Sequence, residues 1–162
     1  MLKKILLIEA IVLLALVLGV KFWLPGFVEE QLNTVEPHPS WEISEEAAAL
    51  HATIPVADLH ADPLLWKRDW LERSERGHTD LPRMQEGGVA LQVLTAVTKS
   101  PSGQNYESNE SDSDTIAYLA MAQLWPMATW NSPFERARYQ GQKLADWEAR
   151  AGGEFQIIRT RQ

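Results

Sequence analysis

The distribution of apolar and polar residues separates an N-terminal apolar segment from a mixed remainder. Residues 10–20 form an unbroken apolar run, which Lys3 and Lys4 precede and Lys21 and Trp23 follow. The run lacks the polar face of an amphipathic helix, which disfavours a buried core helix. Its flanks match a helix in lipid, where cations and aromatic side chains lie at the membrane interface. The pattern predicts a membrane-targeting element over residues 1–28.

Two interpretations of this element differ in whether it is cleaved from the mature protein. A run of this length fits the apolar region of a signal peptide. Residues 5–28 also supply the roughly 20 apolar residues of a span, if Glu9 and Lys21 lie near the two interfaces. The bulky residues 21–25 disfavour a cleavage site, so a signal anchor in the membrane through residues 5–24 is favoured over a cleaved signal peptide. Lysines ahead of the run predict an extracytoplasmic body, periplasmic in a bacterium.

Beyond the apolar segment, the chain alternates between strand and helix patterns. Residues 29–40, with Pro37 and Pro39, are predicted to form a tether. The elements predicted after it are a helix at 42–51, a strand at 54–62, a helix from 63, a short helix at 80–84 capped by Asp80, a strand at 89–97, a helix at 114–125, a helix at 133–151 capped by Ser132 and a strand from Phe155. Helical crossovers between apolar strands imply an α/β fold with a parallel sheet.

Charge and cysteine content exclude several classes of function. The 162-residue chain has a net charge of −7; three lysines and one glutamate give residues 1–28 a charge of +2, which leaves −9 on the remainder. An acidic body repels phosphate, so we expect no nucleic-acid partner. The chain has no cysteine, which excludes disulfides, thiolate metal sites and a cysteine nucleophile. Any metal ion must therefore bind to His, Asp or Glu.

The candidate chemistry lies at the end of the first predicted strand. His60 and Asp62 are two residues apart, so a strand directs both side chains to one face. Pro63 ends the strand directly afterwards, which places the pair at the strand's carboxyl end. Imidazole and carboxylate together suit zinc. The spacing alone leaves two readings open, a metal site and a hydrogen-bonded His–Asp pair.

The other histidines and acidic clusters have simpler structural explanations. His78 and Asp80 repeat the same spacing, but Asp80 is better explained as a helix N-cap and His78 as a loop residue. His38 and His51 are interpreted as solvated. The acidic residues at 107–114 lack the spacing and the glycine of a calcium-binding EF-hand loop, and a solvated loop is favoured.

Two longer stretches carry a resemblance to a known family. They are Val56-Ala57-Asp58-Leu59-His60-Ala61-Asp62-Pro63-Leu64-Leu65-Trp66 and Gly77-His78-Thr79-Asp80-Leu81-Pro82-Arg83-Met84-Gln85-Glu86-Gly87-Gly88-Val89-Ala90-Leu91-Gln92. In this order they resemble the membrane dipeptidases, the renal-dipeptidase-type zinc peptidases with an amidohydrolase-like barrel. The resemblance extends over about residues 54–159.

The resemblance implies a zinc-dependent dipeptidase on a (β/α)8 TIM-barrel-like fold. His60 and Asp62 would bind one of two zinc ions, and a bridging glutamate and two later histidines would complete the centre. No residue of the chain can be assigned to those later positions, and the glutamate would be expected just past Gln162. Residues 41–162 are therefore expected to be the incomplete N-terminal part of such a barrel, inactive alone, because a complete barrel needs roughly 250 residues.

Two alternatives remain beside hydrolysis of dipeptides. The chain could be a non-catalytic, membrane-anchored module for binding or assembly, or a related amidohydrolase that acts on another small amide. An unpaired strand edge is also expected to favour a homo-oligomer.

Overall fold

The computed structural model describes residues 2–160. It has six α-helices and two β-strands: α1 (Leu2–Phe22), α2 (Leu24–Leu32), α3 (Glu45–His51), β1 (Val56–Ala61), α4 (Leu81–Glu86), β2 (Val89–Leu94), α5 (Thr115–Ala122) and α6 (Pro133–Arg150). Single 3₁₀ turns occur at Pro63–Leu65 and Met127–Thr129.

The strands β1 and β2 pair in parallel, with Val56 opposite Val89 and Ala61 opposite Leu94. The short helix α4 and the glycines Gly87 and Gly88 lead directly into β2, and Gly88 has a φ of +67°. This confirms the predicted α/β class with a parallel sheet. Among residues 2–160 the sheet contains these two strands, so the predicted TIM barrel is not seen here.

Three helices begin at a side-chain cap, and two of these caps, Asp80 and Ser132, are those that the sequence predicted. The Ser44 hydroxyl accepts a hydrogen bond from the backbone N–H of Ala47 (3.2 Å), and that of Ser132 accepts one from Glu135 (3.2 Å). Asp80 Oδ1 accepts from the N–H of Arg83 at 2.9 Å. Each oxygen satisfies a donor that the first turn of a helix leaves without an intrahelical partner.

The helix predicted from residue 63 is much shorter than expected. It is a single 3₁₀ turn, after which Trp66 takes an extended conformation with a ψ of 148°. The segment that follows is fixed by side chains: the Asp69 carboxylate accepts from the N–H of Leu71 at 3.2 Å, and Arg68 donates to the carbonyl of Thr79 at 2.7 Å. These local bonds compete with helical hydrogen bonding, so the apolar periodicity was misleading.

Within the described residues, which end at 160, the strand predicted from Phe155 does not form. The ring of Phe155 packs edge-on against Trp70, with centroids 5.7 Å apart. The backbone N–H of Ile157 donates to the Glu148 carboxylate at 2.7 Å, and Arg159 pairs with the same carboxylate. A side chain of α6 therefore satisfies a donor that a strand would have offered to a neighbouring strand.

The apolar core consists of two clusters, and the turn after β1 contributes a residue to each. Leu64 belongs to the first and Leu65 to the second, so successive residues bind the turn to both. The buried members of the first cluster are Leu64, Trp70, Leu81 and Trp147. Those of the second are Leu65, Ile116, Ala120 and Trp125. The turn that follows Asp62 is thus held by buried side chains of both clusters.

The N-terminal helix is exposed, whereas its continuation packs against the body. No residue of α1 is buried, and an 18-residue window of the helical segment Leu2–Leu32 has a mean hydropathy of 2.6. This segment is long and apolar enough to be a membrane anchor or a signal sequence. Residues 29–32, which the sequence placed in the tether, belong to α2, and Glu29 is 1% exposed. Residues 34–44 have no regular structure and are exposed.

Candidate metal-binding pair

His60 and Asp62 meet at the carboxyl end of β1. His60 lies within the strand, and Asp62 follows its last residue, Ala61. Their side chains project to one side, and Nε2 of His60 lies 3.2 Å from Oδ2 of Asp62. The imidazole is 70% exposed and the carboxylate 33% exposed. The predicted convergence of the two side chains is therefore observed, on an accessible surface.

Thr95 orients the carboxylate of Asp62. It follows the last residue of β2, so the parallel pairing brings it to the same edge of the sheet as Asp62. Its backbone N–H donates to the carbonyl of Ala61 at 2.9 Å, and its hydroxyl donates to Oδ1 of Asp62. This bond leaves Oδ2 facing His60. No sequence motif marks Thr95, and its place at the end of a strand parallel to β1 is the one signal that could have indicated it.

Asp58 lies on β1 two residues before His60, and its carboxylate binds the backbone. Its Oδ1 accepts a hydrogen bond from the N–H of His60 at 3.0 Å. This bond, followed by one from the Gln92 side chain, holds the pKa of Asp58 below its ordinary value. The carboxylate is therefore ionised at neutral pH, and its bond to His60 N–H fixes the backbone on which the imidazole is mounted.

The pair supplies two donors of the kind that zinc binds. An imidazole nitrogen and a carboxylate oxygen a hydrogen-bond distance apart can approach one ion together, after small rotations of the side chains. Within residues 2–160, no group of three or more His, Asp or Glu side chains is placed to hold a metal ion. The donor set thus fits part of a zinc site, and the same geometry also makes a hydrogen-bonded His–Asp pair.

The other titratable candidates have the structural roles that the sequence indicated. Asp80 is fully buried, and besides capping α4 it accepts from the N–H of Ser74 at 3.1 Å. His78 is exposed, as are His38 and His51, although Nε2 of His51 lies 3.0 Å from the carbonyl oxygen of Gly87. The acidic residues at 107–112 are exposed and lie outside helices and strands.

A half-buried lysine supports the turn that follows Asp62. The ammonium group of Lys143 on α6 donates to the carbonyl oxygens of Leu64 (3.3 Å) and Trp66 and lies 4.9 Å from the centre of the Trp147 ring. Burial lowers the pKa of Lys143 to about 8. No sequence pattern indicated this lysine, because its acceptors are backbone carbonyls far away in the chain.

Comparison with known proteins adds no relative. The chain matches no protein-family model, no curated protein and no solved structure.

Proposed function

We propose that this chain is the N-terminal part of a membrane-anchored, zinc-dependent dipeptidase, in which His60 and Asp62 bind zinc. The observation that carries the proposal is the 3.2 Å approach of the two side chains at the carboxyl end of a parallel strand. In α/β folds with parallel strands, ligands and metal ions bind at this end of the sheet. The family resemblance of residues 54–159 supplies the reaction class.

The support of Asp62 by Thr95 favours a metal ligand over a solvated surface carboxylate. Carboxylates that bind metal ions are themselves hydrogen-bonded, which fixes the oxygen directed to the ion. Here Oδ1 accepts from Thr95, and Oδ2 is the oxygen directed to His60. Bound zinc would polarise the scissile carbonyl and lower the pKa of a bound water. The residues of this chain would hold the ion and keep the carboxylate in one orientation.

The outer edge of β2 is consistent with a sheet that continues. Leu91 and Val93 are each 39% exposed, although both are in a strand. A groove of about 420 Å³ extends along β2 and is lined on its other side by residues 154–158. An apolar groove beside a free strand edge is the surface that a third parallel strand would cover. This supports the incomplete barrel of the proposal.

The experiment measures bound zinc and the rate of dipeptide hydrolysis. It uses the protein expressed from the whole reading frame and reconstituted in lipid vesicles. We expect His60→Ala and Asp62→Asn to lose zinc and turnover, while His78→Ala, a matched control on an exposed histidine, keeps both. Zinc content unchanged in His60→Ala would refute the assignment of the pair. We expect residues 1–162 alone to show no turnover, because two protein donors leave zinc under-coordinated.

A second candidate is a membrane-anchored, non-catalytic module for binding or assembly. It is favoured because, within residues 2–160, no third His, Asp or Glu side chain joins His60 and Asp62 in a group that could hold a metal ion. This candidate predicts a body that unfolds cooperatively at a denaturant concentration unaffected by chelator. If a chelator instead lowers the unfolding midpoint of the product of the whole reading frame, and this effect is absent from Asp62→Asn, the dipeptidase is favoured.

A further inference from the structure

The helix α2 is fixed to the body by buried polar contacts. The carboxylate of Glu29 is 1% exposed and lies 2.6 Å from Nε of Arg68, whose side chain is 8% exposed. One turn earlier, the carbonyl of Pro25 accepts a hydrogen bond from the Gln123 side chain at 3.0 Å. Gln123 is itself 2% exposed. Because removing either partner would leave a buried group unpaired, these contacts hold α2 in one position.

The end of α1 is also tied to the body. The ammonium group of Lys67 donates to the carbonyl of Lys21 at 3.2 Å. Lys67 is five residues after Asp62, and the intervening chain can extend no more than about 18 Å. With the reach of the Lys67 side chain included, the carboxyl end of β1 is therefore within about 30 Å of the point where the apolar helix ends.

The lengths of the two helices set their depth in a bilayer. About 20 residues cross the hydrocarbon layer, and α1 has 21. The residues of α2 would then lie in the headgroup layer and beyond it. On the first turn of this segment, the rings of Trp23 and Phe27 stack with centroids 4.4 Å apart, and they are 61% and 40% exposed. Exposed aromatic rings beside Lys21 match the side chains that occupy a membrane interface.

We propose that the stacked pair Trp23–Phe27 contacts the lipid headgroup layer, and that docked α2 holds the body, with its His60–Asp62 edge, at one fixed height and orientation above the bilayer. The inference rests on the anchor of the proposed function and is independent of its zinc chemistry. A flexible tether would allow the body to tumble, whereas this arrangement keeps the distance between the membrane surface and the His60–Asp62 pair constant.

The test uses the full chain in vesicles of phosphatidylethanolamine and phosphatidylglycerol. Because the chain has no cysteine, the paired variant Leu18→Cys and Leu59→Cys carries spin labels at those two positions alone. We expect one narrow distance distribution between α1 and β1. Adding Glu29→Gln should broaden it, and adding Glu30→Gln, the exposed neighbour, should leave it narrow. A broad distance distribution in the chain that carries only the two labels would overturn the fixed orientation, whatever the result for Glu29→Gln.

Lipid contact is measured separately with a single label at Phe27→Cys. We expect this label to be more accessible to oxygen, which partitions into lipid, than to a water-soluble nickel chelate, and a label at Tyr106→Cys to show the reverse. A water-like response at position 27 overturns the lipid contact. Release of the chain by an alkaline carbonate wash would refute the anchor itself, whereas retention with a broad distance distribution refutes only the fixed orientation.

Discussion

The Thr95 hydroxyl donates a hydrogen bond to Oδ1 of Asp62, joining the residues that follow the two parallel strands. Thr95 also binds the carbonyl of Ala61 through its own backbone N–H at 2.9 Å. The backbone bond continues the pairing of the strands by one residue, and the side-chain bond uses that pairing to orient a carboxylate. The position of the candidate ligand therefore depends on the register of the sheet.

Thr95→Val tests this dependence, because valine keeps the shape of threonine and removes the hydroxyl. We expect a loss of about 1–3 kcal/mol in the free energy of unfolding, since Oδ1 of Asp62 loses its donor. Zinc affinity of the whole reading-frame product should fall by about 10- to 100-fold. Urea unfolding and competition with a chromophoric zinc chelator measure the two effects. Thr95→Ser retains the hydroxyl and should restore most of the affinity; equal affinity in all three proteins would contradict the role of Thr95.

The sequence predicted those features of the fold that depend on neighbouring residues. The caps at Asp80 and Ser132 were correct because each acts on an N–H three residues away. The convergence of His60 and Asp62 was correct because it follows from the period of a strand. Such contacts are local, so a single sequence contains all the information that they require.

The errors and omissions share one cause, which is the use of distant partners. The strand expected at Phe155 is replaced by contacts with Glu148 and Trp70, and the helix expected after Pro63 gives way to a turn held by Lys143. Thr95 reaches Asp62 across 33 positions of the chain. Local propensity does not encode these pairings, and tertiary contacts override it.

Gly77 provides the space that the Arg68 guanidinium occupies. It has a φ of +74°, and a Cβ added there would lie 2.7 Å from Nη2 of Arg68. That guanidinium is held by Glu29 and by the carbonyl of Thr79, so it cannot move away without losing a buried contact. We expect Gly77→Ala to lower the free energy of unfolding and to loosen α2.

The matched control is Gly103→Ala. Gly103 has a similar φ of +67° but no atom within 4 Å of an added Cβ. Its substitution should therefore show only the backbone cost of about 1 kcal/mol, and Gly77→Ala should exceed this by at least about 1 kcal/mol, because a buried ion pair is disturbed. Chemical denaturation gives both values. Identical losses would show that Arg68 relaxes freely.

Arg136 is fully buried and joins α6 to the segments on either side of α5. It donates to the carbonyl oxygens of Thr98 (2.6 Å), Thr129 (2.7 Å) and Trp130 (2.6 Å) and to the Asp114 carboxylate (2.7 Å). Arg136→Met should cost about 3–5 kcal/mol in the free energy of unfolding, because the carboxylate and the carbonyls lose their donor. Arg136→Lys should recover only part of this lost free energy of unfolding, since an ammonium group lacks the planar array of donors of a guanidinium group.

Arg138, two residues further along α6, serves as the comparison for Arg136. It pairs with Glu135 at 2.7 Å, but its side chain is 67% exposed. Arg138→Met is therefore expected to change the free energy of unfolding by less than about 1 kcal/mol. Thermal and urea unfolding of Arg136→Met and Arg138→Met measure the two losses in stability. A loss in Arg138→Met as large as that in Arg136→Met would refute the assignment of the stabilising contacts to burial.

Lys143 makes the stability of the body depend on pH in the mildly alkaline range. Its pKa is about 8 in the folded chain and 10.5 for the free side chain. Between these values the unfolded chain binds more protons than the folded chain, so the free energy of unfolding rises with pH. From about pH 7.5 to about pH 9.5 the gain is about 2 kcal/mol. Burial raises the pKa of Tyr139 above its usual 10, which opposes the gain only at higher pH.

Urea unfolding at a series of pH values, compared with Lys143→Met, isolates this contribution. Methionine has no titrating group, so this rise should be absent from the variant and should appear as the difference between the two proteins over the same pH range. We also expect Lys143→Met to be the less stable protein at about pH 9.5, because the carbonyls of Leu64 and Trp66 lose a donor that the neutral amine still provides. Parallel pH profiles of the two proteins would show that Lys143 titrates in the folded chain as it does in water.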